Sequence, residues 1–296
     1  MPSIALVLLN RPSLAAPAHV EGAPAHRLVD PDEPLVNVLD LGVTRGDGVF
    51  ETISVGYGRV QALDAHIRRL AKSAAILEMP EPDPEAWRNA VLAAAEAIDP
   101  SDEAYVKTIM TRGIEGDDRP TGWAYAAPAL GRATARSEGI RVVLLDRGYR
   151  HDVRQTSPWL LQGAKSLSYA VNRAVIREAN RRNADDAVFV SSDGFLLEGS
   201  TSNLLLRFGN RLVTPGTNLG ILAGTTQGDA FAFAERQGME VAYELLPVAA
   251  IGEADAAWLL SSVRHAAPIR AVDGVDKPID REFTDALNDY LLHRTE

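Results

Sequence analysis

One lysine in this sequence stands where an amine could do chemistry. Lys165 lies in the stretch Gly163-Ala164-Lys165-Ser166-Leu167-Ser168-Tyr169-Ala170-Val171-Asn172, among small and apolar residues. A site that removes water from a lysine disfavours the ammonium and leaves the neutral amine that Schiff-base chemistry requires. A lysine beside a helix start is more often a surface residue, so the weight rests on the groups that accompany it. Glu198 sits at a strand-to-loop break, just before Gly199-Ser200-Thr201-Ser202-Asn203; alone, it reads as a turn acid. Gly224-Thr225-Thr226 opens a helix, and backbone N–H groups with two hydroxyls at a helix start can bind a phosphate, although an ordinary threonine cap has the same sequence. Lys107 and Arg112 lie on and just past a strand, where two cations could meet a carboxylate or equally keep a sheet edge soluble. Arg68, Arg69 and Lys72 lie off the apolar stripe of another helix, a solvated face when taken alone.

These residues need elements to position them. At 296 residues the chain is long enough for two domains with sizeable cores. A first buried strand is expected over Ile4 to Leu9, then a loop with a short strand near His26 to Val29. A strand follows Gly48 and ends in a hairpin turn at Gly56-Tyr57-Gly58. Asp64 should cap a helix through about Leu77 whose stripe is Ile67, Leu70, Ala74 and Leu77, and a second helix should run from Pro84 to Ile98. Strands are expected near 104–111 and 123–127, a linker at 129–139, and a strand at 140–145 opening the second domain. There Ser168 should cap a helix to about Arg182, and strands at 187–191, 204–207, 241–246 and 256–261 should alternate with helices after Gly224 and from about Asp280. This alternation fits α/β or α+β domains.

Composition narrows the function. A net charge of -10 argues against a general nucleic-acid binder while leaving room for a local basic pocket. With no cysteine there is no disulfide, thiolate metal site or cysteine nucleophile, and the six histidines lack metal-ligand spacing, so no metal is expected. The run Ile4 to Leu9 is too short to span a membrane and has no basic residue before it, so a cytoplasmic location is the expectation.

A helix-flanking lysine, an acid after a strand, a Gly-Thr-Thr helix start and an arginine on another helix answer the needs of pyridoxal 5'-phosphate: an amine for its aldehyde, N–H groups and a cation for its phosphate, and a carboxylate for its pyridine nitrogen. The sequence here resembles the class IV aminotransferase family, the fold-type IV pyridoxal-phosphate enzymes, on five motifs in order: Arg-Gly-Asp-Gly-Val-Phe-Glu-Thr (45–52), His-Ile-Arg-Arg-Leu (66–70), Lys-Ser-Leu-Ser-Tyr (165–169), Leu-Glu-Gly-Ser-Thr-Ser-Asn-Leu (197–204) and Gly-Ile-Leu-Ala-Gly-Thr-Thr (220–226). The resemblance implies a two-domain α/β (α+β) fold of the D-amino-acid aminotransferase type. Residues 1–128 would form a smaller N-terminal domain, 129–139 the linker, and 140–296 a larger domain carrying the lysine, usually as a homodimer. It further implies that Lys165 forms the Schiff base and then moves protons, that Glu198 pairs with the pyridine nitrogen, and that Arg69, Thr225, Thr226 and Ser262 hold the phosphate. Tyr169 receives no role.

Within the family the chain looks most like the aminodeoxychorismate lyases. The strand Tyr-Val-Lys-Thr-Ile-Met-Thr-Arg-Gly (105–113) and the start Arg-Gly-Asp-Gly-Val-Phe lean toward lyases and D-amino-acid aminotransferases, whereas Glu51 stands where some lyases carry a smaller polar residue. The leading expectation is release of pyruvate and p-aminobenzoate from aminodeoxychorismate, on the route to folate, with Lys107 and Arg112 on a substrate carboxylate. The alternative is an amino-acid transaminase of branched-chain or D-amino-acid type acting on a small-molecule amine. A non-catalytic vitamin B6 carrier is a third reading.

Overall fold

The computed structural model describes residues 4–99 and 103–294. The described residues divide into two compact units, the first comprising 4–99, 103–130, 164–169 and 294, the second 131–163 and 170–293.

Among the described residues the first unit holds strands β1 (Ala5–Leu9), β2 (His26–Val29), β3 (Gly48–Gly56), β4 (Arg59–Val60), β5 (Glu103–Thr111) and β6 (Thr121–Pro128), with helices α1 (Leu41–Thr44), α2 (Leu63–Ile76) and α3 (Pro84–Ala97). The strands form one antiparallel sheet in the order β2-β1-β6-β5-β3-β4. Alternation assigns its two faces: Val49, Ile53, Val106, Met110, Ala124 and Ala126 join α2 and α3 in the core, while Phe50, Thr52, Lys107 and Tyr125 point the other way. The β3–β4 turn has Tyr57 and Gly58 at φ 48° and 75°, the left-handed pair that matches the twist of a two-residue hairpin. Helix α3 starts at Pro84 because Asp83 accepts the N–H groups of Glu85 and Ala86, and it buries Trp87, Ala90, Val91 and Ala94 at helical spacing. Helix α2 carries the expected stripe, but Asp64 does not cap it; the capping position is Ala62, with no side-chain bond, and Asp64 pairs with Arg88 at the surface.

The lysine segment departs from expectation. The 140–296 domain was to carry Lys165, yet residues 164–169 belong to the first unit. Phe50 N–H donates to the Lys165 carbonyl (3.0 Å) and Leu167 N–H to the Gly48 carbonyl (2.8 Å), so the segment runs as an extra rung beside the start of β3. Gly48 permits this approach, since a Cβ there would lie 2.6 Å from the Met110 carbonyl oxygen and 2.7 Å from Leu167 Cδ1. Ser168 donates to the Gly46 carbonyl (3.3 Å) and caps nothing.

The second unit, among the described residues, contains β7 (Ile140–Asp146), β8 (Asp186–Val190), β9 (Leu196–Gly199), β10 (Asn203–Phe208), β11 (Arg211–Pro215), β12 (Glu240–Glu244), β13 (Ala256–Ser261), β14 (His265–Val272) and β15 (Val275–Asp276). They form a mixed sheet in the order β12-β11-β10-β13-β14-β7-β8-β9, with β15 on β14. Its helices are α4 (Arg132–Glu138), α5 (Val153–Thr156), α6 (Ala170–Arg181), α7 (Thr225–Arg236), α8 (Ala250–Glu253) and α9 (Arg281–His293). The stretch expected as linker, 129–139, contains α4, and from Gly131 onward it is part of this unit. Strand β14 has no counterpart in the sequence expectations because Pro268 sits inside it; Pro268 pairs with Trp258 of β13, and β7 joins only from Ile269, past the missing N–H. Under α7 and α9, Trp258 is buried and donates to the Thr284 hydroxyl (2.8 Å). Among the described residues no helix is long and apolar enough to cross a membrane, and no His/Asp/Glu group is arranged to hold a metal ion.

Candidate active site

In the first unit the sheet register brings Lys107 into one row with Thr52 and Tyr125. The Lys107 ammonium lies 5.6 Å from the Phe50 ring centroid and 5.9 Å from that of Tyr125, and Tyr105 meets Tyr125 edge-on at 6.1 Å. Burial pushes the Tyr125 phenol up, with a hydrogen bond to Tyr105 opposing it. Lys165 stands over the same Phe50 ring, its Nζ 4.5 Å from the centroid, and its backbone N–H donates to the buried Ser73 hydroxyl (3.1 Å). Tyr169 meets Phe50 edge-on at 5.2 Å, which gives this residue a structural place.

On the other face of β3, Glu51 is buried and forms a two-point pair with Arg69, Nε to Oε1 at 2.7 Å and Nη2 to Oε2 at 2.6 Å, while His66 Nδ1 reaches Oε2 at 2.8 Å. Burial by itself pushes the Glu51 carboxyl up; the charge and hydrogen bonds of Arg69, aided by His66, outweigh it and hold the group well below the usual carboxylate range. Burial pushes His66 down to about 4 against the raising effect of Glu51, so at neutral pH the imidazole is uncharged and its Nδ1–H donates to the carboxylate. Glu51, left open by the sequence, is thus the group that sets the Arg69 guanidinium plane. Its signal was its two-residue-period placement on a strand beside the His-Ile-Arg-Arg helix.

Lys107 and Arg112, read together from the sequence, fall in different surroundings. Arg112 donates through Nε and Nη2 to Asp47 (2.7 and 3.3 Å), through Nη1 to the Glu78 carbonyl (3.1 Å) and again through Nη2 to the Leu77 carbonyl (2.7 Å), closing the end of α2. With these N–H groups engaged, Arg112 is a brace, and of the two expected carboxylate-binding cations Lys107 is the one that stands on the aromatic face.

In the second unit, Glu198 on β9 accepts the Leu222 N–H (3.1 Å). Tyr149 donates to Gln162 (2.5 Å) and accepts from Arg147 Nε (2.7 Å), whose guanidinium lies 4.1 Å from the Phe189 centroid. Burial pushes the Tyr149 phenol up; Arg147 opposes this and the Glu198 charge adds to it. The loop after Glu198 is held at several points: Ser200 donates to Asp186 (2.6 Å), Arg264 to Asp186 (2.8 Å) and Ser202 (3.3 Å), and Asn203 to the Leu222 carbonyl (2.7 Å). A Cβ on Gly224 would collide with the Asn203 amide, so only glycine fits there. Helix α7 then begins with no side-chain cap, and the hydroxyls of Thr225 and Thr226 lie 3.4 and 3.5 Å from that of Ser262. The structure therefore gathers three of the expected phosphate ligands, all hydroxyls, at the head of a twelve-residue helix, a donor set that suits an anion with several oxygens. Asp186, Arg264 and Tyr149 escaped the sequence reading because none belongs to a motif; Arg264 follows Ser262 by two residues, the sole local hint.

Residues 48–272 match the sequence model of the family described as amino-transferase class IV. The bifunctional aminodeoxychorismate lyase / D-amino acid transaminase of Mycobacterium tuberculosis is 40% identical over 257 residues, spanning 83% of this chain and 89% of that protein. A fold IV transaminase of Curtobacterium pusillum superposes with a TM-score of 0.94 at 50% identity, covering 99% of both chains. An aminotransferase of M. tuberculosis in its PLP-bound form does so with a TM-score of 0.86 at 38% identity, covering 90% of this chain and 96% of its own.

Proposed function

We propose, for a chain that belongs to the class IV aminotransferases and is therefore a pyridoxal-phosphate-dependent enzyme, that its reaction is the release of pyruvate from 4-amino-4-deoxychorismate to leave p-aminobenzoate. Family membership sets the non-catalytic carrier aside. The observation that carries the reading is the Lys107 ammonium between the Phe50 and Tyr125 rings, on the face that also presents Lys165: a cation among aromatic walls suits a flat, anionic ring substrate bearing an amine. The name of the M. tuberculosis relative supports the same choice.

Pyridoxal phosphate, when bound, supplies an aldehyde for the substrate amine and a pyridine ring that accepts electrons. Thr225, Thr226 and Ser262 would hold its phosphate by their hydroxyls, and the family resemblance assigns Arg69, whose plane Glu51 fixes, to the same phosphate. Glu198, itself oriented by the Leu222 N–H, would keep the proton on the pyridine nitrogen. Lys165 would supply the amine for the Schiff base, and its Nζ, when free, would take the proton from the substrate ring carbon that bears the nitrogen while the ether C–O bond breaks, the departing enolpyruvate taking up a proton to become pyruvate. Lys107 orients a substrate carboxylate. The enzyme works as a cytoplasmic homodimer in this reading.

A second reading, transamination of an amino acid of D-configuration, draws on that relative's second activity and on the C. pusillum transaminase. One assay separates them: pyruvate formed from aminodeoxychorismate by the cofactor-loaded protein, with Lys165→Ala as the blank. Lys165-dependent pyruvate is expected. An intact yellow holoenzyme that forms none, but turns over D-amino acids with keto acids, overturns the lyase in favour of the transaminase.

A further inference from the structure

We infer that Phe50 is a positioning residue for Lys165, its ring being the resting place of the charged amine whenever that amine carries no covalent partner. The Nζ-to-centroid distance of 4.5 Å lies well within the reach of a cation–π contact, and Phe50 is only 7% exposed while Lys165 is half-buried, so the ring is a fixed wall beside the amine. Three further contacts make the pairing a built feature. The Phe50 N–H donates to the Lys165 carbonyl, so the ring and the amine share one backbone rung. The bridge between Val49 and Ser166 fixes their register. Tyr169, four residues past the lysine, stands at 86° to the Phe50 ring and holds its tilt.

The same ring also faces Lys107, at 5.6 Å, but Lys107 has a second ring in Tyr125. Two amines thus draw on one ring, and loss of that ring should fall more heavily on Lys165. For a base that must release, hold and return a proton, a fixed resting place shortens the search and keeps the amine from folding away. The inference rests on Lys165 being the reactive amine, and applies to lyase and transaminase alike.

The test uses the full chain freed of cofactor and reads lysine acylation against pH, with the peptides containing Lys165 and Lys107 quantified by mass spectrometry. Removing the ring in Phe50→Leu should destabilise the ammonium and move the Lys165 midpoint to lower pH by about half a unit to one and a half units. Lys107 should move less, and Phe50→Tyr, which keeps a π face, should leave both in place. An unchanged Lys165 profile in Phe50→Leu, or an equal shift in Phe50→Tyr, overturns the proposal. A second measurement needs no change at Phe50: in the ¹³C-methylated wild-type chain the Lys165 methyl resonance, assigned by its loss in Lys165→Arg, should lie upfield of the other lysines through the ring current. A Lys165 resonance at the common position also overturns it. Neither measurement reads turnover, so failure of the lyase reading leaves both outcomes intact.

Discussion

Lowering the pH from 7 to 5 should weaken the folded chain through His66, and the size of the effect can be worked from its surroundings. His66 is fully buried between Glu51 and the α2 backbone, and burial holds its imidazole down to about 4 from an ordinary 6.5. An unfolded chain takes up a proton on this residue near the ordinary value, whereas the folded chain refuses it until about 4. The sign follows: stability associated with the neutral imidazole is fully present above the unfolded value and drains as pH falls through the window between the two. Each unit inside the window is worth about 1.4 kcal/mol, and from pH 7 to pH 5 the loss integrates to about 2 kcal/mol. Urea unfolding of the wild type and of His66→Gln at the two pH values isolates this contribution. Gln can still donate to Glu51 but does not titrate, so its loss between pH 7 and 5 should be smaller than the wild type's by about 2 kcal/mol. The reasoning is refuted if both proteins lose the same amount, or if the His66 ring resonances titrate in the folded protein near the ordinary value.

Glu51→Gln removes the carboxylate from a buried two-point pair and should cost about 3 kcal/mol in unfolding free energy, because Arg69 is left as an uncompensated buried charge. Lys107→Met and Arg112→Met should part company: the first raises KM for aminodeoxychorismate with the unfolding midpoint little changed, while the second lowers the midpoint by loosening Asp47 and the end of α2. If Arg112→Met raised KM at unaltered stability, its assignment as a brace would fall. Arg264→Met strips Asp186 of its cation and the 200–203 loop of one tether; hydrogen exchange at Ser202 and Asn203 should quicken by about tenfold or more, with stability down by about 1–3 kcal/mol.

Elements stated locally were readable in the sequence, and features made by distant partners were not. Asp83-Pro84 announces α3 within four residues, and Ala256 to Ser261 reads as a buried strand because its apolar run is unbroken. The lysine motif was equally legible, but its unit was not: the groups that capture Lys165 and Leu167 are Phe50 and Gly48, more than a hundred residues upstream. Asp64 had the right residue type for a cap, yet Arg88 of the neighbouring helix claims its carboxylate. Pro268 hid β14, since a proline in a central strand contradicts the local rule unless one neighbouring strand begins after it. At the candidate site, the helix start at Thr225 and Thr226 and the strand end at Glu198 were legible as local events, while their roles toward a cofactor came only from the family resemblance. Glu51 as the partner of Arg69, and Arg264 as the tether of the loop after Glu198, exist only once strands and helices from separate parts of the chain meet.

The membership of residues 164–169 and Arg294 in the first unit bears on how the protein is made on the ribosome. Arg294 is buried there, donating to the Ser54 hydroxyl (3.3 Å). The stretch up to Leu130 emerges early, but it must wait for the lysine segment to take up its rung beside β3, and for some 160 further residues before Arg294 arrives. At about 5–20 residues per second that wait lasts roughly ten to thirty seconds. In the first part of this interval, until the lysine segment emerges, the Gly48–Phe50 edge has unmatched backbone donors and acceptors that a holdase could occupy. The two units are therefore not successive beads of translation: the first to begin is the last to be finished.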